Sequence, residues 1–260
     1  MEIIKNEYPT EQVDLCSKGL VYPDSNILSQ GFVNIKYPTA YHEDILTNQN
    51  YINKGIVVDE FLKSIIVDDI DFNSLHLGDK TSIIIASRIL LYGAEYPVKL
   101  NCKHCSEENE MNINLSSLED KIVEFDKLSK DNIYLFVTET GVKIKFQLMT
   151  QKINNDIEKE LKFQKDLWKK QGKKEDSVLK RELSTRLKHM IVSINDESDK
   201  NKIALYLDNN LRSIESKALR DYITKINPDV DLTFVFNCND CGKENSVRIP
   251  MTEQFFWPTT

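Results

Sequence analysis

The sequence predicts an α+β protein: two β-hairpins distant in sequence that close on one another, an N-terminal α/β segment, and a largely helical insertion between the hairpins. Three observations predict it. Tyr96–Leu115 and Asp231–Met251 are near-copies, each an alternating apolar run, an Asn, a Cys-x-x-Cys turn, a Glu-Asn step and a second alternating run. Period-two alternation on both sides of a tight turn is the pattern of a hairpin. Just before the first copy, Ile83-Ile-Ile-Ala-Ser-Arg-Ile-Leu-Leu is apolar almost all round, as in a helix buried in a core. Between the copies, apolar residues recur at spacings of three and four, the period of amphipathic helices.

The cysteines turn the two hairpins into one unit. A Cys-x-x-Cys at a bend sets two thiolates on one side of the turn, and two such knuckles supply a tetrahedral set of four sulfurs. Cys102, Cys105, Cys238 and Cys241 are therefore read as one structural Zn2+ site closing a zinc-ribbon-like pair of hairpins. The alternatives are four free thiols or a redox pair. A redox Cys-x-x-Cys follows a strand and opens a helix, whereas strand-like sequence follows both motifs here. His104 could replace a thiolate, but with four cysteines available it is placed toward solvent. A site with four protein ligands has no position open for a reacting water, so it explains folding before function.

Length and composition narrow the class. With 260 residues and 40% apolar residues the chain can build a real core. Glu2 and Lys5 break up the N-terminus, where nothing resembles a signal peptide. The longest apolar run, Ile83 to Tyr92, contains Arg88 and is too short for a bilayer. The expectation is a soluble intracellular site of synthesis, no membrane partner, and a reducing compartment in which Cys16 stays unpaired. The net charge of −7 argues against nucleic acid, because a nucleic-acid-binding ribbon needs a basic footprint. The lysines of Lys159–Lys180 alternate with acids and read as a solvated helix face.

In chain order, residues 1–14 are polar and extended, and Leu15–Pro23 is a short apolar segment with a Gly hinge. Phe32–Tyr37 alternates as a strand, and Thr39 caps a short helix with acids near its start. Asn53–Gly55 is a turn, and Val58, Phe61, Leu62, Ile65 and Ile66 mark one face of a helix. Lys80–Tyr92 is a helix that Asp79 can cap and Gly93 can end in the left-handed region. Arg88 inside it needs a carboxylate or several carbonyls, since an unpaired buried charge is costly. In the insertion, Ile133–Val137 and Val142–Leu148 flank Thr-Glu-Thr-Gly141 as a hairpin. Ile153, Ile157, Leu161 and Leu167/Trp168 form a helical stripe ending near Gly172. Leu179, Leu183, Leu187, Met190, Ile191 and Ile194 form a second stripe. Asn195–Asn201 is a loop, and Ile214, Ala218, Tyr222 and Ile226 mark a last helix stopped by Pro228. The implied organisation is a core of residues 1–115 and 228–260 carrying the ribbon, with 116–227 as a hairpin-plus-helical insertion.

The tail carries Phe255, Phe256 and Trp257 in a row. Two readings stand: the aromatics fold back onto the protein's own ribbon, or they anchor in a neighbouring subunit as partner-binding residues. No catalytic residues are expected. There is no Gly-rich phosphate loop, no G-x-S-x-G and no His-Glu-x-x-His, and His42, His76, His104 and His189 are scattered.

The order of segments resembles a family. Leu15-Cys-Ser-Lys-Gly-Leu-Val-Tyr-Pro23, the Leu77-Gly-Asp-Lys helix start with Arg88 and Tyr92-Gly93, the Cys102 knuckle, Asn227-Pro-Asp-Val-Asp231 before the Cys238 knuckle, and Phe255-Phe-Trp-Pro258 occur in sequence. This resembles the T4-type contractile-tail baseplate proteins of bacteriophages, the hub and hub-assembly group. The resemblance runs from about residue 12 to 258 and departs at Cys16, where a proline is expected. It implies a viral protein made in bacterial cytoplasm that helps build the baseplate hub, with other baseplate or hub proteins as partners. The competing class is a zinc-ribbon nucleic-acid-binding accessory factor, and a zinc hydrolase ranks last.

Overall fold

The structure is a computed structural model that describes residues 9–171, 181–251 and 255–256. It mixes helices with small antiparallel sheets, the α+β class. Strands β1 (Thr10–Asp14) and β2 (Phe32–Lys36) pair antiparallel with Val13 opposite Val33. Helices α1 (Ala40–Leu46), α2 (Gln49–Lys54) and α3 (Val57–Ile65) follow. Helix α2 occupies a stretch where only the Asn53–Gly55 turn was expected. Asn48 caps it, and Gly55 ends it in the left-handed conformation that glycine adopts without penalty.

Helix α4 (Leu77–Tyr92) is the predicted core helix, with Ile83, Ile85, Ser87 and Arg88 buried. Its start differs from expectation. His76, not Asp79, is the N-cap: its Nδ1 accepts from the Gly78 N–H at 3.2 Å. Its Nε2 faces Asn227 Oδ1 at 3.2 Å. The ring is thus neutral with its proton on Nε2, and burial holds its pKa below the ordinary imidazole value. Asp79 instead points inward, fully buried, and holds the Leu15–Pro23 segment. It accepts from Ser17 N at 2.9 Å, Ser17 Oγ at 2.7 Å, Tyr22 OH at 2.6 Å and Cys16 Sγ at 3.3 Å. Burial, then the Asp79 charge, push the Cys16 thiol far above its usual range, so this cysteine is inert.

Gly78 sits where α4 meets the chain returning to the second hairpin. A Cβ there would lie 2.1 Å from the Pro228 carbonyl oxygen. Gly78→Ala is therefore expected to destabilise the protein by about 1–3 kcal/mol, because backbone on one side must move. The better helix propensity of Ala returns only about 1 kcal/mol. A thermal melt of the variant checks this, and an unchanged midpoint would refute the close packing.

At the other end of α4, Arg88 is 1% exposed and meets no carboxylate among the described residues. Its Nη1 donates to the Gly93 carbonyl at 3.0 Å, and its guanidinium lies 5.0 Å from the Tyr92 ring and 5.8 Å from the Tyr96 ring. The expected carboxylate or set of carbonyls is replaced by one carbonyl and two aromatic faces, whose negative quadrupoles attract a cation. Gly93 has φ 84° and ψ 173°, so it ends the helix outside the left-handed helical region.

The first ribbon is β3 (Glu95–Asn101) with β4 (Glu108–Asn114), and Leu100 lies opposite Asn109. Strands β5 (Tyr134–Val137) and β6 (Lys143–Phe146) form the predicted hairpin. Helix α5 (Gln151–Lys170) carries the first stripe; Gly172 and Leu179 lie outside the described residues. The second stripe is not one helix. Helix α6 (Glu182–Met190) stops, and Ile191–Ile194 becomes β7, paired antiparallel with β6. Ile191, Ser193 and Ile194 are buried. This β-branched run suits either period, and the free edge of β6 decides for strand.

Helix α7 (Lys200–Asn209), also unanticipated, is capped by Asp199, whose carboxylate accepts from the N–H of Asn201 at 2.9 Å and Lys202 at 3.0 Å. Only Ile203 is buried in it, so its sequence has almost no stripe to read. Helix α8 (Ser213–Ile226) stops before Asn227-Pro228 as expected. The second ribbon is β8 (Thr233–Asn237) with β9 (Glu244–Arg248), Phe236 opposite Asn245. The chain leaving the first ribbon is bonded to the chain entering the second: Lys121 N donates to Asp229 O and Asp231 N to Glu119 O, both at 2.8 Å. One apolar cluster includes Tyr96, Leu100 and Ile113 from the first ribbon and Leu232, Phe236 and Ile249 from the second, together with Ile83, Phe61 and Phe146. Among the described residues no helix is long and apolar enough to cross a membrane.

Candidate metal centre

Each knuckle is built by its hairpin in the same way. The strand pairing ends at Asn101 opposite Glu108 and at Asn237 opposite Glu244. Beyond it, Cys102 N donates to Glu107 O at 2.9 Å and Ser106 N to Cys102 O at 2.9 Å. The counterparts are Cys238 N to Lys243 O at 3.0 Å and Gly242 N to Cys238 O at 2.9 Å. Both turns need a left-handed residue at the same place: Ser106 has φ 65° and Gly242 has φ 67°. A Cβ at Gly242 would meet nothing within 4 Å. Gly242→Ala therefore costs only the backbone penalty, about 1–2 kcal/mol, expected as a modest drop in melting temperature with the fold retained.

These turns bring the predicted ligands together. The sulfurs of Cys102, Cys105, Cys238 and Cys241 all lie within 4.8 Å of one another, and among the described residues this is the group of His, Cys, Asp and Glu side chains placed to hold a metal ion. Across the two knuckles, Cys102 Sγ is 3.7 Å from Cys241 Sγ and Cys105 Sγ is 3.6 Å from Cys238 Sγ. Four thiolates at about 2.3 Å from a tetrahedral ion stand about 3.8 Å apart, so the donor set fits such an ion. None of the four is in a disulfide. Strands, not helices, follow both motifs, as expected of a structural site.

The sulfurs are not equivalent. Burial raises the Cys102 thiol, but N–H groups of Cys105 and His104 and the Asn245 amide outweigh it and bring it down to about 6. The Cys238 thiol is also lowered, first by the Cys241 N–H. Against the lowering pull of the Glu107 N–H, burial and the three neighbouring sulfurs push Cys105 up to about 12. Clustered thiols cannot all ionise beside one another without a cation. His104 is exposed, and it contributes its backbone N–H to Cys102 Sγ at 3.3 Å.

A family model described as T4 bacteriophage base plate protein matches residues 26–257, most of the chain. The chain belongs to that family. The match takes in α4, both knuckles and the Phe255-Phe256 pair, and begins after the Leu15–Pro23 segment. No curated protein and no solved structure matches the chain.

Elsewhere in this base plate protein, the other predicted site residues fall as follows. Phe255 and Phe256 are 1% and 3% exposed. The Phe255 ring meets Tyr96 edge-on at 5.0 Å, and Phe256 meets Phe61 at 5.5 Å. Tyr96 OH donates to the Pro250 carbonyl at 3.0 Å, drawing the end of the second ribbon onto the first. Of the two tail readings, folding back onto the protein itself is the one these two rings adopt here. Trp257 lies outside the described residues. Asn109 and Asn245, the asparagines of the repeated Glu-Asn step, are buried beside the sulfurs, a role that the sequence alone does not assign to them. Their signal was the Glu-Asn step repeated at one offset after both Cys-x-x-Cys turns.

Proposed function

We propose that this protein is a structural or assembly component of a contractile phage tail, placed at the baseplate hub, folded around a structural four-cysteine zinc site and acting by protein–protein contact without catalysis. The family match over residues 26–257 is the observation that carries the baseplate role. The four-sulfur cluster supports zinc, because an all-thiolate tetrahedral set with no open position suits a structural zinc ion. A bound zinc would cross-link the two ribbons where their turns meet. The hub assignment rests on the ordered motifs from Leu15 to Pro258. The division into a ribbon-bearing core of residues 1–115 and 228–260 with a 116–227 insertion belongs to the same proposal, favoured by the Glu119–Lys121 and Asp229–Asp231 contacts.

Fractionation of purified tails and hub complexes with detection of this chain tests the reading. Finding it in hub complexes or in the virion baseplate supports it, and its exclusion from both refutes it. A nucleic-acid accessory role predicts tight DNA or RNA binding that weakens steeply with salt. For a chain of net charge −7 the expected result is no such affinity near physiological ionic strength.

A further inference from the structure

Asn109 and Asn245 are 1% and 2% exposed, and each reaches from its own hairpin to the opposite knuckle. Asn109 Oδ1 accepts from Asn239 N at 2.8 Å, while its Nδ2 donates to Glu107 O at 3.0 Å and to Cys238 Sγ at 3.6 Å. Asn245 mirrors this: Oδ1 accepts from Lys103 N at 2.9 Å, and Nδ2 donates to Lys243 O at 2.9 Å and to Cys102 Sγ at 3.5 Å. Chemistry sets the amide orientation. A backbone N–H can only donate, so Oδ1 must face it; a flipped amide would set oxygen against a carbonyl and a sulfur.

We propose that Asn109 and Asn245 are positioning residues of the metal centre, each locking the opposite knuckle in register through its oxygen and donating an N–H to that knuckle's first thiolate. The inference rests on the zinc reading above and deepens it. Three features of the geometry support it. The bonds to Asn239 N and Lys103 N join the two knuckles without any ion, so the four sulfurs are gathered before one arrives. Four thiolates around a dication leave excess negative charge on sulfur, and amide N–H donors beside Cys102 and Cys238 disperse it. Neither residue has an equal substitute. Aspartate could accept the backbone N–H, but its second oxygen would face a carbonyl and a thiolate, and glutamine is one methylene too long for the same span.

The test uses the full-length protein loaded with Co2+ in place of zinc, for which thiolate-to-metal absorption reports on sulfur directly. Asn109→Asp and Asn245→Asp keep shape and acceptor but remove the donor; Asn112→Asp, at an exposed position on β4, controls for added charge. The expected result is that each buried variant gives up its ion to a competing chelator about 10–100-fold more readily. Its charge-transfer bands should also move to lower energy, which a purely packing role would not produce. The control should match the wild type in both. Should the aspartates fail to fold, Asn109→Ala and Asn245→Ala, which remove acceptor and donor together, are read by the same chelator competition and band shift, with at least as large a loss. If the wild type binds one ion through four thiolates and the variants release it at the wild-type rate with unshifted bands, the positioning role is wrong and the metal reading stands. If the wild type shows no tetrathiolate spectrum, the metal reading falls and this inference falls with it.

Discussion

Replacing Cys102 with serine is expected to abolish stoichiometric metal binding and to loosen both ribbons together. Cys102 lies 3.7 Å from Cys241 across the two knuckles and receives N–H groups from His104 and Asn245. A hydroxyl there is a poor metal ligand at neutral pH, and three thiolates leave the tetrahedron open. Metal binding is folding free energy, about 10–16 kcal/mol in zinc-finger peptides near pH 7. That range is a ceiling here, because Leu100, Ile113, Phe236 and Ile249 also pin the ribbons to the core. Amide exchange should therefore rise in β3–β4 and β8–β9 together and far less in α4. Chelation of the wild type should reproduce the pattern. Purified protein without zinc, with all four thiols freely reactive in the native state, would sink the site.

The second large effect is expected at the tail. Phe255→Ala should destabilise the isolated protein by about 3–5 kcal/mol, as for other buried phenylalanines. The ring is 1% exposed and touches Tyr96 and Phe256, so its removal leaves a cavity where the second ribbon, the first ribbon and α3 converge. At about 2–4 °C per kcal/mol for a chain of this size, the melting temperature should fall by roughly 6–20 °C. Deleting residues 254–260 should cost more, since Phe256 goes too. A deletion that keeps the melting temperature but keeps the protein out of hub complexes would restore the partner-anchor reading. One that changes neither stability nor assembly would refute both.

Features set by neighbouring residues could be read without a structure. The two knuckles follow from Cys-x-x-Cys between alternating runs, and α4 from an apolar stretch bounded by polar residues at its start and Gly93 at its end. The β5–β6 hairpin and the stop of α8 before Pro228 follow from turn chemistry and from the missing N–H of proline. The cysteine spacing even indicated which four sulfurs meet, because matching knuckles have one simple way to complete a tetrahedron.

Tertiary structure alone decided the rest, wherever a residue's role depends on what lies opposite it. Asp79 looked like a helix cap by position, yet the Ser17 and Tyr22 hydroxyls waiting across the core turn it inward and leave the cap to His76. Ile191–Ile194 fits the helical stripe of α6 as well as it fits a strand, and the unpaired edge of β6 selects the strand. Arg88 is held by tyrosine faces rather than the carboxylate its charge suggested, and Phe255 turns inward because Tyr96 offers it an edge. Asn109 and Asn245 could be noticed as a repeat but not understood as one, since the hydrogen bonds that explain them cross between segments more than a hundred residues apart. Local pattern carries the period and the turn of the chain; hydrogen-bond partners and packing across it are supplied only by folding.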